Sequence, residues 1–402
     1  MKFSAFGERF LFLAHRIDKH NKGYVDFYIG PKKIRKIVDN EVITSPNKLL
    51  TDCKALQKDL FKQGYDKKRE RYLEKILISM RTSIEILDGV KISFKEQFLG
   101  LYDVTLRPVN ESELENLKEE FSEAYGRVGS LEERMNDLRV RRKVPENKVF
   151  IYFKKALIIT EKRTKELFAD LLPKKEKIFI KLVKNTNSDD LKWPYYEWYL
   201  GDFRSRLEIN PSYNIYWTNF LSAAAHEGYP GHHTEFSVKE QRFYRELNQF
   251  EHSILMLKSP KLIISEGIAE IAANVLFSYR DQAEIGLENF CSDSSKEDSL
   301  DVLTMQYKAK RKQSLLWYNL AYHALIDEWS EEGLIRYASN YEIFSQKDIR
   351  NLLKLISSPT YSTTAFSYNL GSNLIKNKYS EFPSVKNFRN LLVNPILPSD
   401  LL

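Results

Sequence analysis

Apolar residues recur every three or four positions through most of the chain. Leu73, Ile76, Leu77, Met80, Ile84 and Leu87 form one such stripe, which predicts a helix over 72–87 that stops at Gly89. Residues 10–17 and 150–171 read the same way, the second closed by Pro173. Ser112 with Glu115 has the form of a capping box ahead of Leu117 and Phe121. The period shortens where β-branched and aromatic residues gather. Residues 24–29 end at the breaker pair Gly30-Pro31, and strands are predicted at 178–183, 197–200 and 206–209, the last closed by Asn210-Pro211. A helix follows at 219–227, with Thr218 as its N-cap. Helical spacing then returns over 263–277, 305–328 and 346–356, the last capped by Ser345. The expected class is mainly α with a small antiparallel β-sheet (α+β). The charged stretch 126–145 suggests a soft boundary between an N-terminal helical lobe, 1–145, and a second lobe, 146–402.

Composition narrows the function classes. A chain of 402 residues with 43% hydrophobic and 29% charged positions has enough material for a large core. The net charge of +7 comes from scattered lysines, without a basic block interleaved with aromatics, so no nucleic-acid partner is expected. No apolar run approaches the ~20 residues that span a bilayer, and the N-terminal stretch lacks the apolar core of a signal peptide. Cys53 and Cys291 are the only cysteines, too few for a disulfide framework. A cytoplasmic, reducing setting and no membrane partner are expected.

The chemistry concentrates in one segment. His226-Glu227-Gly228-Tyr229-Pro230-Gly231-His232-His233 holds three of the seven histidines. Ser265-Glu266-Gly267-Ile268-Ala269-Glu270 supplies carboxylates from a second element. Two imidazoles and one carboxylate make a three-ligand zinc set with an open position, the arrangement of a catalytic metal. Glu227, beside the first histidine, is then the group to take a proton from water.

The histidine spacing departs from the usual zinc-protease helix, in which two histidines sit one turn apart. On a continuous helix His232 would lie about 240° around from His226, at 100° per residue. His233 would return to the same face roughly 10.5 Å along the axis. Neither can share a metal with His226 unless the helix breaks. Pro230 disfavours helical geometry at Tyr229, and Gly231 permits backbone positions that a side chain would block. A break at Pro230-Gly231 is therefore expected. His232, directly after the glycine, is the favoured second ligand, with His233 its competitor. An unligated His233 could contact substrate or a developing oxyanion. Glu266 is the expected third ligand. Glu270, one turn on, is placed to hold a ligating imidazole from behind, and Gly267 leaves room for a close helix crossing. On its own the Glu266–Glu270 pair would read as a solvated helix face. His323 reads as a satisfied core residue, and His15, His20 and His252 as ordinary surface or cap positions.

The His226–His233 string, the Glu266-Gly267 pair with Glu270, and a 359–371 segment containing Tyr368 resemble the DUF885 family, which is related to the gluzincin metallopeptidases. Residues 24–31 look like an N-terminal signature of its shorter members. The resemblance implies a zincin-like, mostly helical architecture with a small sheet, and zinc-dependent hydrolysis. Many members carry Trp-Ala after the Glu-Gly pair, where this chain has Ile268-Ala269. Tyr361 and Tyr368 are candidate phenolic donors to an oxyanion, with Tyr368 favoured by the family segment.

The expected function is a zinc hydrolase, with a peptide as substrate and Glu227 as general base. The 206–209 strand offers an edge for an extended peptide. Alternatives are hydrolysis of a small non-peptide amide, a non-catalytic protein that keeps the metal site, and a helical scaffold with incidental histidines.

Overall fold

Most of the helical periodicity is realised as helices in the computed structural model, which describes residues 3–183, 193–291, 298–358 and 362–402. The first half contains α1 (Ala5–His20), β1 (Val25–Tyr28), α2 (Lys32–Asn40), α3 (Pro46–Leu60), α4 (Lys67–Leu87), α5 (Phe94–Tyr102), α6 (Glu111–Tyr125), α7 (Leu131–Arg142) and α8 (Glu146–Phe168). Then come β2 (Lys177–Leu182), β3 (Tyr195–Gly201), β4 (Arg204–Ile209), α9 (Phe220–Glu227), α10 (His232–Lys239) and β5 (Ile254–Met256). The chain ends in α11 (Pro260–Leu276), α12 (Tyr279–Phe290), α13 (Leu300–Leu325), α14 (Glu331–Ser339), α15 (Gln346–Ile356), α16 (Thr364–Tyr379) and α17 (Val385–Val393).

The caps explain several helix starts. Ser45 accepts from the Lys48 amide ahead of Pro46 at the first turn, and Ser345 with Asp348 forms the expected box. The Ser112–Glu115 box does not form. Asn110 caps α6 instead, accepting from the Ser112 amide at 3.2 Å, because asparagine two positions earlier satisfies the same donors. Thr218 is not a cap either; it lies inside a 3₁₀ turn, Trp217–Asn219, that leads into α9.

The strands pair in a way that periodicity does not encode. β2, β4 and β3 form one three-stranded sheet in that order, with β2–β4 parallel and β4–β3 antiparallel. The sheet is thus mixed, where an antiparallel one was expected. β1 pairs with β5 in a separate antiparallel ribbon, Tyr28 opposite Ile254. Because β4 is paired on both sides, the 206–209 segment offers no edge to a peptide. β2 and β3 are the outer strands of this sheet.

Apolar packing runs across the 145/146 boundary. One cluster joins Phe98 and Phe121 to Ile268, Leu316, Phe366 and Phe388. A second packs α1, α3 and α4 around Phe250 and Met256. A third sets α8, β4, α9 and α12 against one another through Phe153, Leu207, Phe220 and Phe290. No single helix among the described residues is long and apolar enough to cross a membrane. Cys53 and Cys291 are both free thiols.

Candidate active site

The break that the histidine spacing requires is present. α9 ends at Glu227, and α10 starts at His232. Between them the Tyr229–Pro230 peptide is cis, and the Gly231 amide turns back to donate to the Ala225 carbonyl at 2.9 Å. Gly231 has φ −73°, so its role is close approach and not a left-handed turn. A Cβ there would land inside the carbonyls of His226 and Ala225.

This turn folds His232 back onto His226. The two rings lie 4.9 Å apart at 89°, and the donor atoms of His226, His232 and Glu266 all fall within 4.8 Å of one another. Glu266 comes from α11. Its Oε2 is 3.8 Å from His226 Nε2, and its Oε1 is 3.9 Å from His232 Nε2.

The groups behind the ligands fix their tautomers. His226 turns Nδ1 toward Glu270 Oε1 at 3.5 Å, as expected from the helix spacing. His232 Nδ1 faces Ser265 Oγ at 3.3 Å, and that hydroxyl donates to Glu235 Oε2 at 2.6 Å. Each imidazole therefore carries its proton on Nδ1 and points the Nε2 lone pair inward. Burial and the neighbouring His226 push His232 down to about 3, so the ring is neutral at pH 7. Burial opposes ionisation of Glu235, but Lys239 at 2.5 Å, Ser265 and His232 together hold its carboxyl below the usual value.

The three donors fit a divalent metal. Glu266 Oε2 is buried without a hydrogen-bond partner among the described residues, a costly state that a cation would relieve. Burial, then Glu227 and Glu270, push the Glu266 carboxyl well above its ordinary value. Two imidazoles and a carboxyl crowded by other carboxyls match the donor chemistry of a catalytic zinc.

The triad opens into a cavity of about 550 Å³, within the size range of small-molecule and peptide sites. Glu227 lines it, close to the main chain of Glu197. Burial, with Glu270 adding repulsion, pushes Glu227 up to about 8. Tyr368 lines the opposite wall on α16, its ring 6.2 Å from that of His226 and 27° from parallel. Burial and the nearby carboxyls push the phenol far up, so it remains a donor. The crossing that brings α16 here is very tight. A Cβ on Gly267 would meet the Gly371 backbone at 2.6 Å, and one on Gly371 would overlap the Ile263 carbonyl. Pro359 and Tyr361 lie outside the described residues.

His233 is not at the cavity. It is fully buried, with Nδ1 2.7 Å from Ser205 Oγ and Nε2 3.1 Å from Glu176 Oε2. Glu176 also accepts from the Tyr229 hydroxyl. One residue past His232 is 100° further around the helix, which turns His233 to the sheet and away from the ligands. It anchors the turn, so both roles weighed for it in the sequence are corrected.

Two other histidines also differ from expectation. His252 is buried, stacked against Phe243 and Tyr72, with neither ring nitrogen hydrogen-bonded. His15 is buried edge-on to Tyr28, and burial pushes it down to about 4. His323 is a core residue as expected, paired with Asp327 at 2.7 Å.

Residues absent from the sequence reading also shape the site. Ser265 and Glu235 orient His232, and Ser205 and Glu176 hold His233. Asp26 and Glu197 line the cavity. A signal for the last two does exist: each is the lone acid in a strand of apolar and aromatic residues, Val-Asp-Phe-Tyr and Tyr-Tyr-Glu-Trp-Tyr.

No family model matches the chain, and no curated protein does. Among solved structures, the chain is similar to a candidate lipoprotein from Colwellia psychrerythraea. The TM-score is 0.52 at 13% identity, covering 92% of this chain and 68% of that one. A candidate lipoprotein of unknown function from Shewanella oneidensis aligns with a TM-score of 0.41 at 12% identity, over 90% of this chain and 76% of that one. The first likeness speaks to the fold alone.

Proposed function

We propose that the chain is a zinc-dependent peptidase with a zincin-like site, as its resemblance to the DUF885 family implies. The observation that carries the reading is the convergence of His226, His232 and Glu266 donors on one point of a cavity that Glu227 and Tyr368 also line. What zinc would supply when bound is Lewis acidity at the scissile carbonyl and water acidic enough to attack near neutral pH. Glu227 takes the proton of the attacking water and delivers it to the leaving nitrogen. Tyr368 donates its phenolic hydrogen to the developing oxyanion. β3, an outer strand, contributes Tyr195, Tyr196 and Glu197 to the cavity wall and can align an extended peptide by main-chain pairing.

Metal content and digestion of a peptide library test the proposal together. The wild type should carry about one zinc per chain, and His226→Ala and Glu266→Ala should lose it. Glu227→Gln should keep zinc and fold, yet cleave at least ~10²-fold more slowly, the scale of a lost general base. Equal cleavage by wild type and Glu227→Gln would sink the mechanism. Zinc-loaded wild type that cleaves nothing in the library would sink the peptidase reading.

A further inference from the structure

The cavity holds more carboxyl groups than the proposed chemistry uses. Asp26, Glu197, Glu227, Glu266 and Glu270 all line it, while Lys310 is the one basic side chain among the described lining residues. Lys310 is directed to the Asn219 side chain at 2.7 Å. Glu266 belongs to the metal triad, Glu270 backs His226, and Glu227 moves the proton. Asp26 and Glu197 have no such task.

Glu197 is the more telling of the two. It is only 6% exposed, and its Oε1 has no hydrogen-bond partner among the described residues. An unsatisfied buried carboxyl oxygen is expensive unless something binds it. Asp26 sits close enough to repel a charged Glu197, and its Oδ1 accepts from the Tyr196 hydroxyl at 2.6 Å. Lys261, which acts on Asp26 from behind, donates to the Ile254 carbonyl at 3.2 Å and does not line the cavity. Two carboxyls at one cavity wall, one with an open acceptor, match a primary ammonium group with its three N–H donors.

We propose that Glu197 and Asp26 form an ammonium subsite for the free N-terminus of a peptide, which makes the chain an aminopeptidase. This rests on the hydrolase reading for the bond cleavage, but not for the binding. The position of the cut follows from local geometry. Glu197 and Glu227 line the same cavity, and the Glu197 main chain lies close enough to the Glu227 carboxyl to act on it, so the subsite adjoins the proton carrier. An α-amino nitrogen is two bonds from the carbonyl carbon of its own residue. An amine held at Glu197 therefore presents that first carbonyl. Water adds its oxygen to this carbon, the C–N bond breaks, and the water proton passes through Glu227 to the departing nitrogen. The products are one free amino acid and a peptide shorter by one.

Binding to the zinc-loaded, catalytically blocked Glu227→Gln protein separates the subsite from turnover. Three tetrapeptide pools serve as probes in calorimetry: lysine-free with a free amine, lysine-free with an acetylated amine, and acetylated with lysine at the second position. The free-amine pool should bind at least ~10-fold more tightly than its acetylated counterpart. Adding Glu197→Gln or Asp26→Asn should close that gap, on the order of 10- to 100-fold for loss of a buried charged partner. Thermal melts check folding of both variants, and the less buried Asp26 keeps the test open if Glu197→Gln is unstable. Equal binding of the first two pools, no binding of any pool, or a gap that survives both substitutions overturns the subsite. Binding of the lysine pool as tight as that of the free-amine pool overturns the N-terminal assignment in favour of a side-chain amine. A second equivalent of metal that either substitution removes would overturn it in favour of a dinuclear centre. A free-amine preference in a wild type that cleaves no pool would uphold the subsite while the hydrolase reading fails.

Discussion

His232 and His233 are neighbours in sequence with opposite fates, and the difference lies in what meets each ring. His232 has one nitrogen on Ser265 and one facing Glu266, whereas both nitrogens of His233 are taken by Ser205 and Glu176. His233→Ala should therefore keep about one zinc per chain. It should still lower stability by about 2–3 kcal/mol, because Glu176 and Ser205 lose a buried partner. Metal analysis beside a denaturant melt checks this, and zinc loss from the folded variant would reverse the ligand assignment. At this scale the sequence pointed to the three side chains that converge, His226, His232 and Glu266, since His-Glu, Pro-Gly and Glu-Gly are local strings with strong geometric content. Of their supports it disclosed only Glu270. Tyr196 and Asp26 meet across 170 positions, as do Ser205 and His233 across 28, and no local pattern records such meetings.

Among the elements, helices were legible and pairings were not. The stripe in α4 and the cap at Ser345 follow from spacing along one segment. Parallel pairing of β2 with β4, and antiparallel pairing of β1 with β5 some 230 residues on, are choices of partner, which a period of two leaves open. The α11–α16 crossing is the element-level feature on which the site depends most, and Gly267 hinted at only half of it. Gly371→Ala should press α16 off α11 and cost about 1–3 kcal/mol, the usual scale of overpacking. Since Glu266 rides on one helix and Tyr368 on the other, hydrolytic activity should fall further than the loss of folded protein explains. Gly333→Ala, in α14 with only ordinary contacts around the added methyl, should be neutral or slightly stabilising. A Gly371→Ala protein with unchanged melting temperature and rate would refute the packing argument.

For the molecule as a whole, a metal at the triad would link α9, α10 and α11. It would bind the folded chain and not the unfolded one, so it should stabilise by mass action. With free zinc about 1,000-fold above its Kd the gain is about 4 kcal/mol, or ~5 °C for a chain of this length. Stripping metal with a chelator should lower the wild-type melting temperature by that order and leave His226→Ala unmoved. An unchanged wild-type melt would mean that no metal is held there. The cavity also has a consequence for how the protein comes into being. Its walls are collected from residue 26 to residue 368. A chain growing from its N-terminus at the ribosome would emerge with the histidines and Glu266 roughly a hundred residues before Tyr368, and with the groove at Gly267 still open. On the proposed reading, no complete catalytic centre would exist until α16 had been made and seated, so a half-made copy would be unable to attack itself or its neighbours.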